Sequence, residues 1–228
     1  MIIKKSGRIN FYFQRDVTLY ILKGKNSDLL IDTGFFGIWN GVEKWLNEYN
    51  VKDVLLTHAH VDHDWNAARL QNMGAKILLS AADKDLRQNF LSQPVKPTAP
   101  KYRIRNITQL VGGVLVKSKP YSPDVYLNDN DRFFLKSLGF DAEIIPLPGH
   151  TYGTMGVLSN GVLYCGDAFT MLWHKPDVTP HAVSIPHMKN SLRTILKINP
   201  QWLACGHGLP VRMDKARPVI EQYLQYQN

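Results

Sequence analysis

The chain has 228 residues, 44% hydrophobic and 20% charged, enough for a real core in one large domain or two small ones, and this composition excludes a disordered polar tract. No run of about 18 apolar residues occurs, and the opening MIIKKSGRINFYFQRD lacks the continuous apolar stretch and small-residue cleavage site of a signal peptide. The formal charge of +8 is compatible with nucleic acid, anionic lipid or a small anionic substrate, and equally with a role in solubility alone.

In chain order, the N-terminal stretch reads as a first strand, and FYFQRD, VTLYILKG and SDLLIDTG as three successive strands separated by polar or Gly-containing turns. Trp39, Val42, Trp45, Leu46 and Tyr49 recur at helical spacing and predict an amphipathic helix over about residues 38–50. VKDVLLT predicts a buried strand ending on a histidine-rich turn, then a helix from about Asp64 to Met73 that Gly74 closes. AKILLS predicts a further strand and AADKDLRQNFL a further helix. From Gln93 to Pro123 five prolines interrupt any sustained period, so an irregular segment is expected. DRFFLKS, DAEIIPLPGH, TMGVLS and GVLYCGD predict short strands at hairpin-like spacing. Met188, Leu192, Ile195 and Leu196 mark a helix, QWLACG a last strand, and Val219, Ile220, Tyr223 and Leu224 a closing helix.

Strands followed by helices, twice over, predict an α/β sandwich of two similar halves within a single domain over residues 1–228. An irregular basic insertion at about 84–123 separates the halves. There, Lys84, Arg87, Lys96, Lys101, Arg103, Arg105, Lys117 and Lys119 face Asp85 alone, a net +7 that is nearly the whole chain's excess. Cys165 and Cys205 stand far apart in apolar strand-like contexts, which points to two buried free thiols in a reducing, cytoplasmic compartment.

The chemistry concentrates in THAHVDH, residues 57–63. His58 and His60 are two apart, so at the end of an extended strand they point the same way. Asp62 and His63 follow in the turn and face a second point. Neutral imidazole and carboxylate are the donors that borderline divalent cations such as zinc prefer. Four donors from one loop indicate two adjacent ions that need further ligands. His150, Asp167 and His207 each leave an apolar strand just after a glycine that lets the backbone bend. A carboxylate such as Asp167 can bridge two cations.

THAHVDH, with those three downstream residues, resembles the metallo-β-lactamase fold superfamily, whose signature is HxHxDH followed by His, Asp and His. The resemblance covers most of the chain in order and reaches upstream to LLIDTG. It implies a four-layer αβ/βα sandwich with the metal site in the cleft between the two halves. It implies that His58, His60 and His150 hold one ion, that Asp62, His63 and His207 hold the other, and that Asp167 bridges them. Asp32 then matches a residue that supports the metal loop from behind. The implied cofactors are two divalent ions, zinc first, with manganese or iron as alternatives.

Paired cations lower the pKa of a shared water, so the implied activity is hydrolysis by a metal-bound hydroxide, with Asp62 also relaying the proton of that water. No G-x-S-x-G elbow or P-loop lies in a suitable context. Asp at position 167 is unlike true β-lactamases and similar to hydroxyacylglutathione hydrolases, lactonases and phosphodiesterases. A small ester, thioester or lactone is therefore the expected substrate. A phosphodiesterase acting on a nucleotide, RNA or phospholipid headgroup is one alternative, and a dioxygenase-like redox relative another. The sequence ends about twenty residues after His207, without the helical extension with which glyoxalase II grips glutathione. Many relatives follow the signature with a Gly-containing tripeptide, whereas this chain reads DHDWN, so Trp65 either packs beneath the loop or narrows the cleft. Tyr152, Trp173, His174 and His181 are the remaining candidates for substrate contact. The expected partner is a small molecule, anionic if the basic insertion overhangs the site. Nucleic acid is disfavoured, and the sequence leaves the oligomeric state open.

Overall fold

Neighbouring side chains on a strand point to opposite faces. In the computed structural model, which describes residues 2–6 and 9–226, this alternation sorts the apolar residues into three stacked layers. The first sheet opens with an antiparallel meander of β1 (Ile2–Ser6), β2 (Ile9–Gln14), β3 (Val17–Lys23) and β4 (Asp28–Ile31). It continues through the parallel strands β5 (Val51–Leu55) and β6 (Lys76–Ser80). Between them lie α1 (Trp39–Leu46), α2 (Val61–Asp64) and α3 (Ala67–Asn72). Leu19, Ile21, Leu30, Val54, Ile77 and Leu79 face outward and pack with Val42 and Trp45 of α1 and Leu70 of α3. Tyr20, Leu22, Leu29, Ile31, Leu55 and Leu78, the residues between them, face inward.

Beyond β6 the chain departs from its sequence reading. AADKDLRQNFL is not a helix: it forms single 3-10 turns at Ala81–Asp83 and Phe90–Ser92. The stretch expected to be irregular contains β7 (Lys96–Pro97) and a 13-residue helix, α4 (Arg103–Leu115). The helix expected from Asp64 to Met73 is interrupted, α2 and α3 being separate short segments. β8 (Val125–Leu127) then joins the first sheet parallel to β6. DRFFLKS, expected as a strand, instead contains α5 (Phe134–Ser137), which buries Leu135.

The second sheet is built from β9 (Glu143–Pro146), β10 (Met155–Ser159) and β11 (Val162–Gly166), and from two later strands. A hairpin of β12 (Thr170–Leu172) and β13 (Lys175–Asp177) follows, and β14 (His181–Ala182) pairs back onto β7. After α6 (Ile185–Ile198), β15 (Trp202–Cys205) lies parallel to β11, and β16 (Val211–Arg212) leads into α7 (Met213–Tyr226). Val157, Val162, Tyr164 and Ala204 meet the inward face of the first sheet. Leu163, Leu203, Cys165 and Cys205 point the other way, onto Met188, Leu192 and Ile195 of α6 and Ile220 of α7.

The layers therefore run helix, sheet, sheet, helix, the four-layer sandwich the sequence implied. Cys165 and Cys205 are free and buried, their sulfurs 3.9 Å apart on adjacent strands. Among the described residues no helix is long and apolar enough to cross a membrane.

Candidate metal centre

The polar residues singled out in the sequence leave their strands at the C-terminal ends. Asp32 follows β4, His58 and His60 follow β5, and Asp62 and His63 lie in α2. His150 follows β9, Asp167 follows β11 and His207 follows β15. Because β4 runs parallel to β5, and β11 to β15, these ends open on one edge of the sandwich. Backbone hydrogen bonds join the sheets there: Met155 N donates to Thr57 O at 2.9 Å, and Thr18 N to Gly206 O at 2.8 Å.

The seven donors fall into two sets. The ligating atoms of His58, His60 and His150 lie within 4.8 Å of one another, as do those of Asp62, His63 and His207. Asp167 stands between the sets, with Oδ1 3.5 Å from His63 Nε2 and Oδ2 3.6 Å from His150 Nε2 and 3.3 Å from His207 Nε2. The carboxylate thus lies within reach of histidines from both sets.

A metal-binding imidazole needs its other nitrogen held, and four of the five histidines meet that requirement. His63 Nδ1 lies 2.9 Å from Asp32 Oδ2, and His58 Nδ1 3.1 Å from Thr57 Oγ1, which itself donates to Asp32. His150 Nδ1 is held by the carbonyl of His181 at 3.0 Å, and His207 Nδ1 by that of Asp16 at 3.1 Å. With Nδ1 as the donor, the lone pair of Nε2 is directed into the centre. Nε2 of His58, His60 and His63 and Oδ1 of Asp167 are buried without any hydrogen-bond partner. Buried polar atoms are rarely left unpaired. The donors of His58, His63 and Asp167 lie within 4.8 Å of one another, and His60 turns Nδ1 to within 2.9 Å of His150 Nε2, an arrangement that fits divalent cations.

Charge separates the two sets. Burial, then neighbouring imidazoles, hold His58 and His60 well below the usual histidine range, and burial also lowers His150. Burial opposes protonation of His63 as well, but Asp32, Asp167 and Asp62 outweigh it and raise this histidine to about 9. His207 is raised well above its ordinary value, burial being overcome by Asp167 and Asp62. Burial pushes the Asp62 and Asp167 carboxyls up, yet their histidine neighbours hold both below the usual carboxylate range.

The sequence reading missed the residue that fastens the centre together. Asp83, in the 3-10 turn after β6, is fully buried. It accepts from Ala59 N (3.1 Å) and Thr151 Oγ1 (2.8 Å) through one oxygen, and from Gly153 N (2.9 Å) and Gln93 Nε2 (3.0 Å) through the other. It thereby joins the loop of His58 and His60 to that of His150. A signal was present, since Asp83 also follows the end of an apolar strand at the same edge. Glycine is required at 206, where a Cβ would lie 2.4 Å from His63 and 2.6 Å from Asp167 Oδ1.

Above the centre lies a cleft of about 260 Å³ whose walls include His60, Asp62, His207, Phe35, Phe90 and Val116. Gly112 and Gly113 of α4 roof it, and Arg15 stands at its rim. None of the five residues expected to touch substrate lines this cleft. Trp65 packs edge-on against Phe35 and Phe36, with ring centroids 5.6 and 5.7 Å away. Tyr152 is exposed beside His187. Trp173 and His174 form the exposed turn of the β12–β13 hairpin, both at positive φ. His181 alone stays near the chemistry, buried with its ring 5.2 Å from that of His150, and burial lowers it to about 3.

Residues 13–207 match the metallo-β-lactamase superfamily. Hydroxyacylglutathione hydrolase GloC of Haemophilus influenzae is 32% identical over 123 residues, 53% of this chain and 50% of that protein, so the match spans about half the length of that relative. A probable metallo-hydrolase of Methanocaldococcus jannaschii is 26% identical over 205 residues, 83% of this chain and 86% of that protein. A crystal structure of TTHA1623 in a di-iron-bound form superimposes with a TM-score of 0.63 at 20% identity, covering 96% of this chain and 98% of that one. The spacing of the histidine motif, the helix–sheet–sheet–helix layering and the match over residues 13–207 agree, and the chain belongs to the metallo-β-lactamase superfamily.

Proposed function

We propose that this chain is a metal-dependent hydrolase that uses two divalent cations, zinc first, to cleave a small ester, thioester or lactone. The observation that carries the proposal is the convergence of seven donors, among which His58 Nε2, His63 Nε2 and Asp167 Oδ1 are buried without a hydrogen-bond partner. His58, His60 and His150 would hold one cation, Asp62, His63 and His207 the other, with Asp167 between them. Divalent cations at such a site supply Lewis acidity toward a carbonyl oxygen and lower the pKa of water.

The chain's own residues supply the rest. Asp32 and Thr57 fix the ring of His63 and steady that of His58. Asp62, held ionised, faces the cleft and takes up a proton from the nucleophilic water. Phe35, Val61, Phe90 and Val116 give an acyl group an apolar wall and keep bulk water away. One arginine at the rim suits a substrate with a single negative group better than a phosphodiester chain. The similarity to GloC supports the thioester member of this class.

Metal analysis of the purified chain, run beside ester, thioester, lactone and phosphodiester substrates, tests the reading. Two ions per chain, with carboxyl-ester or thioester turnover abolished by chelation, is the expected result. Full turnover in a thoroughly chelated preparation would overturn it.

A further inference from the structure

Helix α4 turns its apolar stripe away from the protein. At about 100° per residue, Ile104, Ile107, Val111, Val114 and Leu115 fall on one side of the helix, and all five are exposed, from 43% for Val114 to 79% for Ile104. A surface helix ordinarily turns such a stripe toward the core. Here the opposite side does the seating. Asn106 is buried, and Gly113 lies against Phe90 so closely that a Cβ would come within 2.5 Å of the ring. Leu91, next to Phe90, is also exposed.

Charge identifies what this face fits. Lys101 and Arg103 stand at the start of the helix, and Lys117 and Lys119 just past its end, all exposed. No acidic residue occurs from Leu86 to Pro123. Lys101 already pairs with Asp177 at 3.0 Å, and the surroundings of the stripe remain net positive. An apolar stripe on an exposed helix, flanked by cations, has the composition of a helix that lies in the plane of an anionic lipid surface.

We propose that α4 docks this protein onto anionic phospholipid, its apolar stripe entering the boundary between headgroups and acyl chains and its flanking lysines meeting the phosphates. A second copy of the chain fits the face less well. A twofold pairing would bring cation against cation. A helix about 20 Å long and 10 Å wide also offers far less than the roughly 800 Å² per partner of a stable protein interface. Since Gly112 and Gly113 roof the cleft from the same helix, docking places the cleft beside the lipid surface. The inference stands whichever bond the enzyme cleaves.

Vesicle flotation of the full chain tests it, comparing phosphatidylcholine alone with phosphatidylcholine containing a quarter of phosphatidylglycerol. The chain floats with the anionic vesicles, stays behind with the neutral ones, and is released by high salt. Replacing Lys117→Gln and Lys119→Gln lowers the partition coefficient by about 5-fold per charge removed, and Ile107→Asp with Leu115→Asp lowers it further. These positions are exposed, so thermal melts of the variants match wild type. If the aspartate pair does melt early, the glutamine pair decides alone. Equal flotation with both vesicle types, indifference to the lysine changes, or a wild-type dimer that Leu115→Asp dissociates would each overturn the proposal.

Discussion

The two candidate ligand sets lie side by side, with Asp167 within 4 Å of histidines from both, and differ in proton state. His58, His60 and His150 are buried with no carboxylate of their own set, so they stay neutral and present lone pairs. His63 and His207 are surrounded by Asp32, Asp62 and Asp167, so at neutral pH they carry protons where a cation would sit. His63 is as deeply buried as the first set and His207 only partly so, and the carboxylates beside both are what raise them. On the proposed reading, the first set would receive a cation as it stands, while the second would have to give up protons to receive one.

Asp167→Ala strikes both sets at once and has the largest expected effect. It removes the only carboxylate within 4 Å of histidines from each set among the described residues. Metal content should fall from two ions toward one, and kcat/KM by more than the roughly 10–100-fold that outer-shell changes cost. Metal analysis with steady-state kinetics checks this, and a variant of full activity would end the bridging role.

Asp83→Ala should act on the neutral set alone, and through stability. It leaves Ala59 N, Gly153 N, Thr151 Oγ1 and Gln93 Nε2 without their acceptor. An unsatisfied buried donor costs about 1–3 kcal/mol, and partial relaxation keeps the total below the sum, near roughly 3–5 kcal/mol. Urea denaturation of the metal-free protein measures it. Loss of less than about 1 kcal/mol would show that the two loops hold together without this carboxylate.

Asp83 also marks the limit of what the sequence disclosed. The seven candidate donors, which the fold brings together, were legible because each belongs to the histidine motif or couples a rare donor to a glycine at a strand end, a local pattern. The layers were legible from alternation, as in Leu29, Leu30 and Ile31, which face opposite sides. Asp83 carries the same strand-end signal, but its role was hidden because its four partners come from three separate segments. Helix α4 was hidden by its flanking prolines and its Gly112–Gly113 pair, since each glycine weakens a helix by about 1 kcal/mol. Its seat on Phe90 is a tertiary contact that no local period reveals. DRFFLKS is a short apolar run between polar residues, which reads as a strand, yet it contains a short helix from which Leu135 reaches the inner core beside Phe140. The cleft walls assemble from the β2–β3 turn, the 3-10 turn at Phe90 and α4, so the aromatics nearest the ligands in sequence were not those nearest in space.

The charge difference between the sets also gives a dependence on pH. His63 and His207 have folded pKa values raised above the unfolded 6.5. Their contribution to the stability of the metal-free fold is fully present below about pH 6.5 and is lost as pH rises, for His63 through about 9. A cation entering the second set must displace those protons. Its affinity should therefore climb with pH up to about 9, with each of the two histidines releasing a proton. The first set, already neutral at pH 7, should bind with little proton release. Titration calorimetry in two buffers of different ionisation enthalpy separates the events, and equal proton release from both would erase the distinction.

The smallest expected effect lies at the rim, where the cleft meets solvent. Arg15 is exposed on the β2–β3 turn at positive φ, and its guanidinium donates to Phe36 O at 3.3 Å. Among the residues lining the cleft it is the only lysine or arginine, and its neighbour Asp16 holds His207 through the backbone. An exposed ion pair contributes about 0.2–1 kcal/mol, so Arg15→Gln should raise KM for an anionic substrate by only about 2–5-fold and leave kcat near wild type. The effect should shrink as salt rises, because charges in water are screened over about 8 Å at physiological ionic strength. A neutral substrate of the same acyl group should respond neither to the substitution nor to salt. If kcat for the neutral substrate falls instead, Arg15 acts by placing the turn that carries Asp16, and through it the ring of His207, in the set that depends on its charged neighbours.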